Sequence, residues 1–167
     1  MLDNIEIIGI DHGNRNMKTA STVFSAAVQP IQTKPDSLEN ILEYQNRFYY
    51  VGGQVPVIER VDKTVNEDYY LLTLAALAKE LKHRKMASAK VRIGAALPPR
   101  RFQQQKEGFK KYLFKTKELH FRFEGIHYHV TLENIYVFMA GAIVVIHTLL
   151  DEGFGILPAG WILGAVR

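Results

Sequence analysis

The first strand and the turn that follows it constrain this chain most. An apolar run at residues 5–10 leads directly to Asp11, a glycine follows at Gly13, and Lys18 stands seven residues after Asp11. A carboxylate at a strand's end can hold hydrated Mg²⁺, and a glycine two residues later lets backbone N–H groups approach phosphate oxygens. Lys18, on the returning strand, would add a positive charge against the same phosphates. The spacing therefore predicts a phosphate-handling hairpin.

The same residues also suit an ordinary β-hairpin. Asp, Gly and Asn tolerate the left-handed backbone conformations that tight turns require. Short motifs of this kind occur often without function, so spacing alone leaves both interpretations open.

Length and composition limit the class of protein. The 167 residues fit one domain, and the absence of cysteine excludes disulfides and thiolate metal sites. Asp3 and Glu6 stand where a secretory signal needs positive charge and then an apolar run. The longest apolar stretch, residues 135–150, is interrupted by Gly141 and His147 and is too short for a membrane span. We expect a cytoplasmic protein without a membrane partner.

Hydrophobic periodicity predicts a mixed sheet with flanking helices. Strands are predicted at residues 5–10, 17–27, 47–51, 90–97, 119–123, 127–132 and 134–138, and helices at 67–85, 101–114 and 139–150. Asn66 is available to cap the first helix, and Glu124-Gly125 is the predicted turn of a hairpin. A helix between two strands favours parallel pairing, whereas the first third of the chain reads as an antiparallel meander. The fold class is therefore α/β.

Residues 7–18, IIGIDHGNRNMK, resemble the first phosphate motif of bacterial actin-like ATPases of the ParM/StbA plasmid-segregation type. Residues 48–53 and 91–99 follow in the family's order, as an edge strand before a glycine and a buried strand ending in a Leu-Pro turn. The resemblance covers residues 5–151. It implies an actin/ribonuclease H-like domain that binds ATP with Mg²⁺, forms filaments, and segregates DNA with a DNA-bound adaptor protein.

The resemblance also implies roles for single residues. Asp11 would be the catalytic residue and would hold Mg²⁺ through water, while Lys18 would contact the phosphates and stabilise charge during phosphoryl transfer. The backbone of the turn would cradle the phosphates, so the implied phosphate-binding residues are His12, Gly13, Asn14, Arg15, Asn16 and Lys18.

Two departures from the family pattern limit these roles. Met139 and Ala140 stand where the family has a Pro followed by Glu or Gln, and neither side chain can orient a water for hydrolysis. The family also needs a second half, with its own Asp-x-Gly loop, to complete the nucleotide cleft. We therefore expect residues 1–151 to be the first-half domain and 152–167 an apolar tail at the junction to a missing second half. Alone, the chain should bind ATP weakly or not at all. The alternative is a non-enzymatic, truncated relative that acts as a self-association or interaction domain.

Basic residues are concentrated between residues 79 and 117, where thirteen Lys and Arg face only two Glu. With Phe102, Phe109, Tyr112 and Phe114 nearby, this segment could bind nucleic acid by base stacking. The helical spacing of the aromatic residues instead favours packing against the core, with the lysines solvated or engaged in subunit contacts.

Three histidines form a second constellation. His127 and His129 lie two apart on a predicted strand, with His120 on the strand expected to pair with it. Three imidazoles can bind zinc, but no carboxylate or cysteine stands at matching spacing. Exposed strand histidines are therefore the default interpretation.

Overall fold

The structure, a computed structural model, describes residues 4–54 and 67–140. Within these residues the chain forms β1 (Ile5–His12), β2 (Asn16–Lys18), β3 (Val23–Ser25), β4 (Val28–Ile31), β5 (Ile41–Tyr44), β6 (Arg47–Val51), α1 (Asp68–His83), β7 (Ser88–Leu97), α2 (Pro99–Leu113), β8 (Glu118–Phe123) and β9 (Ile126–Met139). The predicted helices at 67–85 and 101–114 are confirmed to within two residues at each end. Three predicted features lie outside the described residues: the Asn66 cap, the helix at 139–150 beyond Ala140, and the tail at 152–167. Met139, the predicted first residue of that helix, is instead the last residue of β9.

All of the described strands belong to one open sheet, in the order β3-β2-β1-β7-β9-β8-β5-β6-β4. β1, β7 and β9 are parallel neighbours, and every other pairing is antiparallel. The predicted mixed sheet with flanking helices is therefore confirmed.

The antiparallel strands of the first third are divided between the two ends of the sheet. β1, β2 and β3 form one end, while β4, β5 and β6 join the other end through pairing of β5 with β8. A strand has only two edges, and those of β1 are occupied by β2 and by the parallel β7. Among the later strands of the predicted meander, β5 pairs with β8, β6 pairs with β5, and β4 pairs with β6. The prediction of one strand at 17–27 was wrong, because the chain turns between Lys18 and Val23 and forms the antiparallel pair β2 and β3.

The region predicted as two strands, 127–132 and 134–138, is the single strand β9. Val91 pairs with Leu132 and Arg92 pairs with Asn134, so Glu133 is an extra residue at a β-bulge. The bulge resets the alternation of side chains, because Leu132 and Ile135 are both buried although they are three residues apart. Because the bulge interrupts the alternation of buried and exposed residues, the sequence pattern predicted two strands where there is one.

Two-residue turns close two of the hairpins. Gln45 and Asn46 join β5 to β6, and Glu124 and Gly125 join β8 to β9. All four residues have positive φ, as a type I′ turn requires. The turn predicted at Glu124-Gly125 is therefore confirmed.

α1 and α2 cover one face of the sheet. The alternating residues Ile8 and Ile10 of β1 are fully buried in the same core cluster as α1. The two helices are joined where the backbone N–H of Tyr70 donates to the Tyr112 hydroxyl at 2.8 Å. Asp11, one residue out of phase with Ile10, lies on the opposite face. No helix within the described residues is long and apolar enough to cross a membrane.

Candidate functional site

Asp11 and Lys18 face each other across the first hairpin. The register of β1 with β2 pairs Asp11 with Lys18 and His12 with Met17. Residues directly opposite one another in antiparallel strands point to the same face of the sheet. Asp11 is half-buried and Lys18 is exposed. The predicted carboxylate and ammonium group therefore lie on one side of the sheet, next to the hairpin loop.

The loop requires glycine at its first position. A Cβ added to Gly13 would lie 2.3 Å from the backbone oxygen of Asn16, which is too close for any other residue. The Tyr69 hydroxyl on α1 donates to the Gly13 carbonyl at 3.1 Å, and the backbone N–H of Ala26 donates to the Arg15 carbonyl at 2.9 Å. The loop is thus tied to the body of the domain on two sides.

The tip of the loop is open to solvent. Asn14, Arg15 and Asn16 are all exposed, so the predicted phosphate-binding residues at the tip are accessible to a ligand.

The side chain of His12 points away from this face. Its Nε2 lies 2.8 Å from the Thr73 hydroxyl of α1, and its ring meets Phe109 of α2 edge-on at 5.0 Å between centroids. His12 is 1% exposed. Only its backbone is therefore placed to take part in the predicted phosphate cradle.

A buried carboxylate holds the turn that follows Lys18. Oε2 of Glu80, on α1, accepts hydrogen bonds from the Thr19 hydroxyl at 2.8 Å and the Ser21 hydroxyl at 2.5 Å. Arg84, one helical turn later, contacts the other carboxylate oxygen at 3.2 Å. Burial by itself would raise the pKa of Glu80, but the two hydroxyls and the guanidinium outweigh burial and hold that pKa below its ordinary value.

The sequence prediction missed this network. A glutamate within the apolar stripe of a helix, one turn after Ala76 and Leu77, was the available signal. Its consequence is that the strand carrying Lys18 is anchored to α1.

Asp11 also stands at the carboxyl end of parallel strands. It is level with Ala96 on β7, and Gly9 pairs with Gly94 two residues earlier. The chain leaves β1 toward β2 on one side and leaves β7 through α2 toward β8 on the other side, so the edge between β1 and β7 is a topological switch point. Ligands of open α/β sheets bind at such edges.

The three histidines share a face, as predicted. His120 pairs directly with His129, and Arg122 pairs with His127. The expectation that no carboxylate accompanies them was wrong, because Oε2 of Glu118 lies 2.6 Å from Nε2 of His129. The signal was strand alternation, since Glu118 precedes His120 by two residues on β8 and so shares its face.

The aromatic residues of the basic segment belong to the core. Phe109 is fully buried, and Phe102, Tyr112 and Phe114 pack against the core cluster. This placement agrees with the packing interpretation and leaves the basic residues of α2 around the outside of the helix.

The family model described as the N-terminal domain of actin-like proteins matches residues 9–142, well over half of the chain. The chain belongs to this actin-like family. The predicted family resemblance and the actin-like fold are therefore confirmed. No curated protein matches this actin-like chain by sequence.

Solved structures give the same fold. Apo ParM of pSK41 aligns with a TM-score of 0.63 at 12% identity, covering 82% of this chain and 50% of ParM. An AlfA filament bound to AMPPNP aligns with a TM-score of 0.63 at 21% identity, covering 83% of this chain and 56% of AlfA. An archaeal actin homologue in complex with ADP aligns with a TM-score of 0.62 at 17% identity, covering 88% of this chain and 47% of the homologue. The actin-like chain thus spans about half the length of the structures it matches.

Proposed function

We propose that this chain is the first-half domain of an actin-like ATPase of the plasmid-segregation type, which binds ATP with Mg²⁺ and assembles into filaments. The observation that carries the proposal is the register that sets Lys18 directly opposite Asp11, at the carboxyl end of the parallel strand β1. Membership of the actin-like family supports it. So do the structural neighbours, which include a filament with AMPPNP and a complex with ADP.

The residues of the hairpin fit a magnesium nucleotide. Mg²⁺ keeps several of its waters and is commonly held by one or two carboxylates together with substrate phosphates. The half-buried Asp11 carboxylate, beside an exposed loop, offers an oxygen donor of this kind. When bound, the ion would neutralise charge on the phosphates.

The chain's own groups would position the nucleotide. Backbone N–H groups of residues 12–16 would donate to phosphate oxygens, and Gly13 leaves them accessible by carrying no side chain. Lys18 would place a mobile positive charge on the same side as Asp11. The tie from Tyr69 to the Gly13 carbonyl and the Glu80 network would hold this loop in one conformation before the ligand arrives.

The rest of the nucleotide cleft is proposed to come from a second half. The part of each solved structure that matches this chain is only about half of that structure, and a nucleotide held from one side only lacks the contacts of the other side. We therefore place the first-half domain at residues 1–151 and a junction at 152–167, and expect weak ATP binding by the chain alone. Within the described residues, β9 ends with Phe138 and Met139, and neither side chain can orient a water for hydrolysis. We therefore propose nucleotide binding and assembly for this chain, and not hydrolysis.

An NMR titration tests the proposal at the level of single residues. Millimolar ATP with Mg²⁺ should shift the backbone amide resonances of residues 11–18 in the chain. Asp11→Ala should abolish these shifts, because the carboxylate that holds the ion is gone. Asp36→Ala, an exposed carboxylate in the loop between β4 and β5, is the matched control and should leave them unchanged. Shifts that avoid the hairpin, or that survive Asp11→Ala, would contradict the proposal.

The alternative function predicts a different result. A non-enzymatic self-association domain would show no amide shifts with nucleotide, together with assembly that grows with protein concentration in sedimentation velocity. The filament structures among the neighbours make assembly the feature shared by both proposals, so nucleotide binding is the measurement that separates them. A DNA-bound adaptor protein as partner and a cytoplasmic location are further expectations of the leading proposal.

A further inference from the structure

The outer face of the β8–β9 hairpin carries metal-binding side chains. In the strand order this hairpin is separated from the β1–β2 hairpin by β7. Glu118 pairs with Thr131, and His120 pairs with His129. Strand alternation sends the intervening residues of both strands into the core, where Leu119, Phe121, Tyr128 and Val130 are buried. The polar side chains therefore project together from a rigid two-stranded platform.

The three donor groups are already close to one another. The rings of His120 and His129 stack with 4.2 Å between centroids, and Oε2 of Glu118 lies 2.6 Å from Nε2 of His129. One donor atom from each of Glu118, His120 and His129 lies within 4.8 Å of the other two. The Thr131 hydroxyl donates to the same carboxylate oxygen at 3.0 Å. A hydroxyl that orients a carboxylate in this way is a common outer-shell partner in metal sites.

Little movement would bring these atoms to binding distance. Donor atoms of a tetrahedral zinc site lie roughly 3.3 Å apart, given bonds of about 2.0–2.1 Å. The widest separation among the three atoms must therefore close by at most about 1.5 Å, while the Glu118–His129 pair at 2.6 Å must open by about 0.7 Å. Rotation of partly or fully exposed side chains can supply both movements. The backbone need not move, because β8 and β9 are paired along the whole length of β8.

The chemistry of the donors selects the class of ion. Two imidazole nitrogens and one carboxylate oxygen suit Zn²⁺ and its first-row neighbours, whereas Mg²⁺ and Ca²⁺ prefer sites made of oxygen alone. A fourth coordination position would remain open to water.

We propose that Glu118, His120 and His129 form a site for a divalent transition metal ion, with Zn²⁺ as the reference ion. The site is separate from the nucleotide hairpin and does not depend on the proposed function. It explains why a carboxylate, two paired imidazoles and an orienting hydroxyl meet on one exposed face.

Calorimetry on the full chain, prepared without a histidine tag, tests this site directly. Titration with Zn²⁺ should show one ion bound per chain. His120→Ala, His129→Ala and Glu118→Gln should each weaken binding by about tenfold or more, since even outer-shell changes cost 10- to 100-fold in metal affinity. His83→Ala, an exposed histidine in the last turn of α1, is the matched control and should not change the affinity. Mg²⁺ in excess should not displace the Zn²⁺.

Co²⁺ provides a second readout that does not depend on affinity alone. The intense visible bands of tetrahedral Co²⁺ should appear with the unaltered chain and vanish with the three variants, while circular dichroism shows that each variant is folded. The proposal is overturned if the unaltered chain binds no Zn²⁺, or if the three variants bind Zn²⁺ as tightly as the unaltered chain does. It is also overturned if His83→Ala weakens binding as much as His120→Ala does.

Discussion

Replacing Glu80 by alanine should destabilise the chain by about 3 kcal/mol or slightly more. The residue is 2% exposed, and its carboxylate accepts two hydroxyl hydrogen bonds and contacts the Arg84 guanidinium. Hydrogen bonds to a charged group contribute about 1.5–3 kcal/mol each, and breaking a buried ion pair costs about 3–5 kcal/mol. Arg84 keeps a second partner, Glu6, at 2.6 Å, so the lower part of that range applies.

Urea unfolding followed by far-ultraviolet circular dichroism at pH 7 measures this loss. Glu107→Ala, an exposed glutamate on α2, is the matched control and should stay within about 0.5 kcal/mol of the unaltered chain. Glu80→Gln should fall between the two, because the amide keeps the shape of the side chain but loses its charge. A loss below about 1 kcal/mol for Glu80→Ala, or one no larger than that of the control, would refute the structural role assigned to this network.

The same residue predicts a dependence on acid. Because the folded state holds the pKa of Glu80 below its ordinary value, its contribution is fully present above the unfolded pKa of about 4.3. That contribution is lost as pH falls through the folded pKa. The stability difference between the unaltered chain and Glu80→Gln should therefore shrink below about pH 4.3. A difference that stays constant or grows in acid would show that the charge is not what stabilises the turn.

Two further changes test the hairpin loop. Gly13→Ala should lower the free energy of unfolding in urea by about 1–3 kcal/mol, because its Cβ would meet the Asn16 carbonyl. Gly108→Ala, at a helical position with open space, is the control and should raise the free energy of unfolding by about 0.5–1 kcal/mol. Equal effects of the two changes would contradict the requirement for glycine at position 13. Tyr69→Phe removes the hydrogen bond to the Gly13 carbonyl and should cost about 0.5–1.5 kcal/mol, with faster hydrogen exchange in residues 13–16; unchanged exchange would show that this bond does not hold the loop.

Local patterns in the sequence were enough to predict both described helices and the strands β1, β6, β7 and β8, but not β4 or β5. The change from a period of two to a period near 3.6 located α1 and α2, since each period reflects one element's own geometry. The order of aspartate, glycine and lysine was enough to predict a hairpin with both charged groups on one face, because a short turn leaves few possible registers. The turn at Glu124-Gly125 was also predicted from the sequence, whereas its type I′ geometry is a finding of the structure.

Only the tertiary structure decided which strands become neighbours and which distant side chains meet. The pairing of β5 with β8 and the contact of Glu80 with Thr19 join residues about 60 to 80 positions apart in the chain, and no local pattern records such partners. The bulge at Glu133 depends on β7 lying alongside β9. The meeting of Glu118 with His129 likewise depends on the register between two strands. Local conformation is set by each residue and its near neighbours, whereas pairing is set by which exposed edges and apolar faces remain to be covered once the chain collapses.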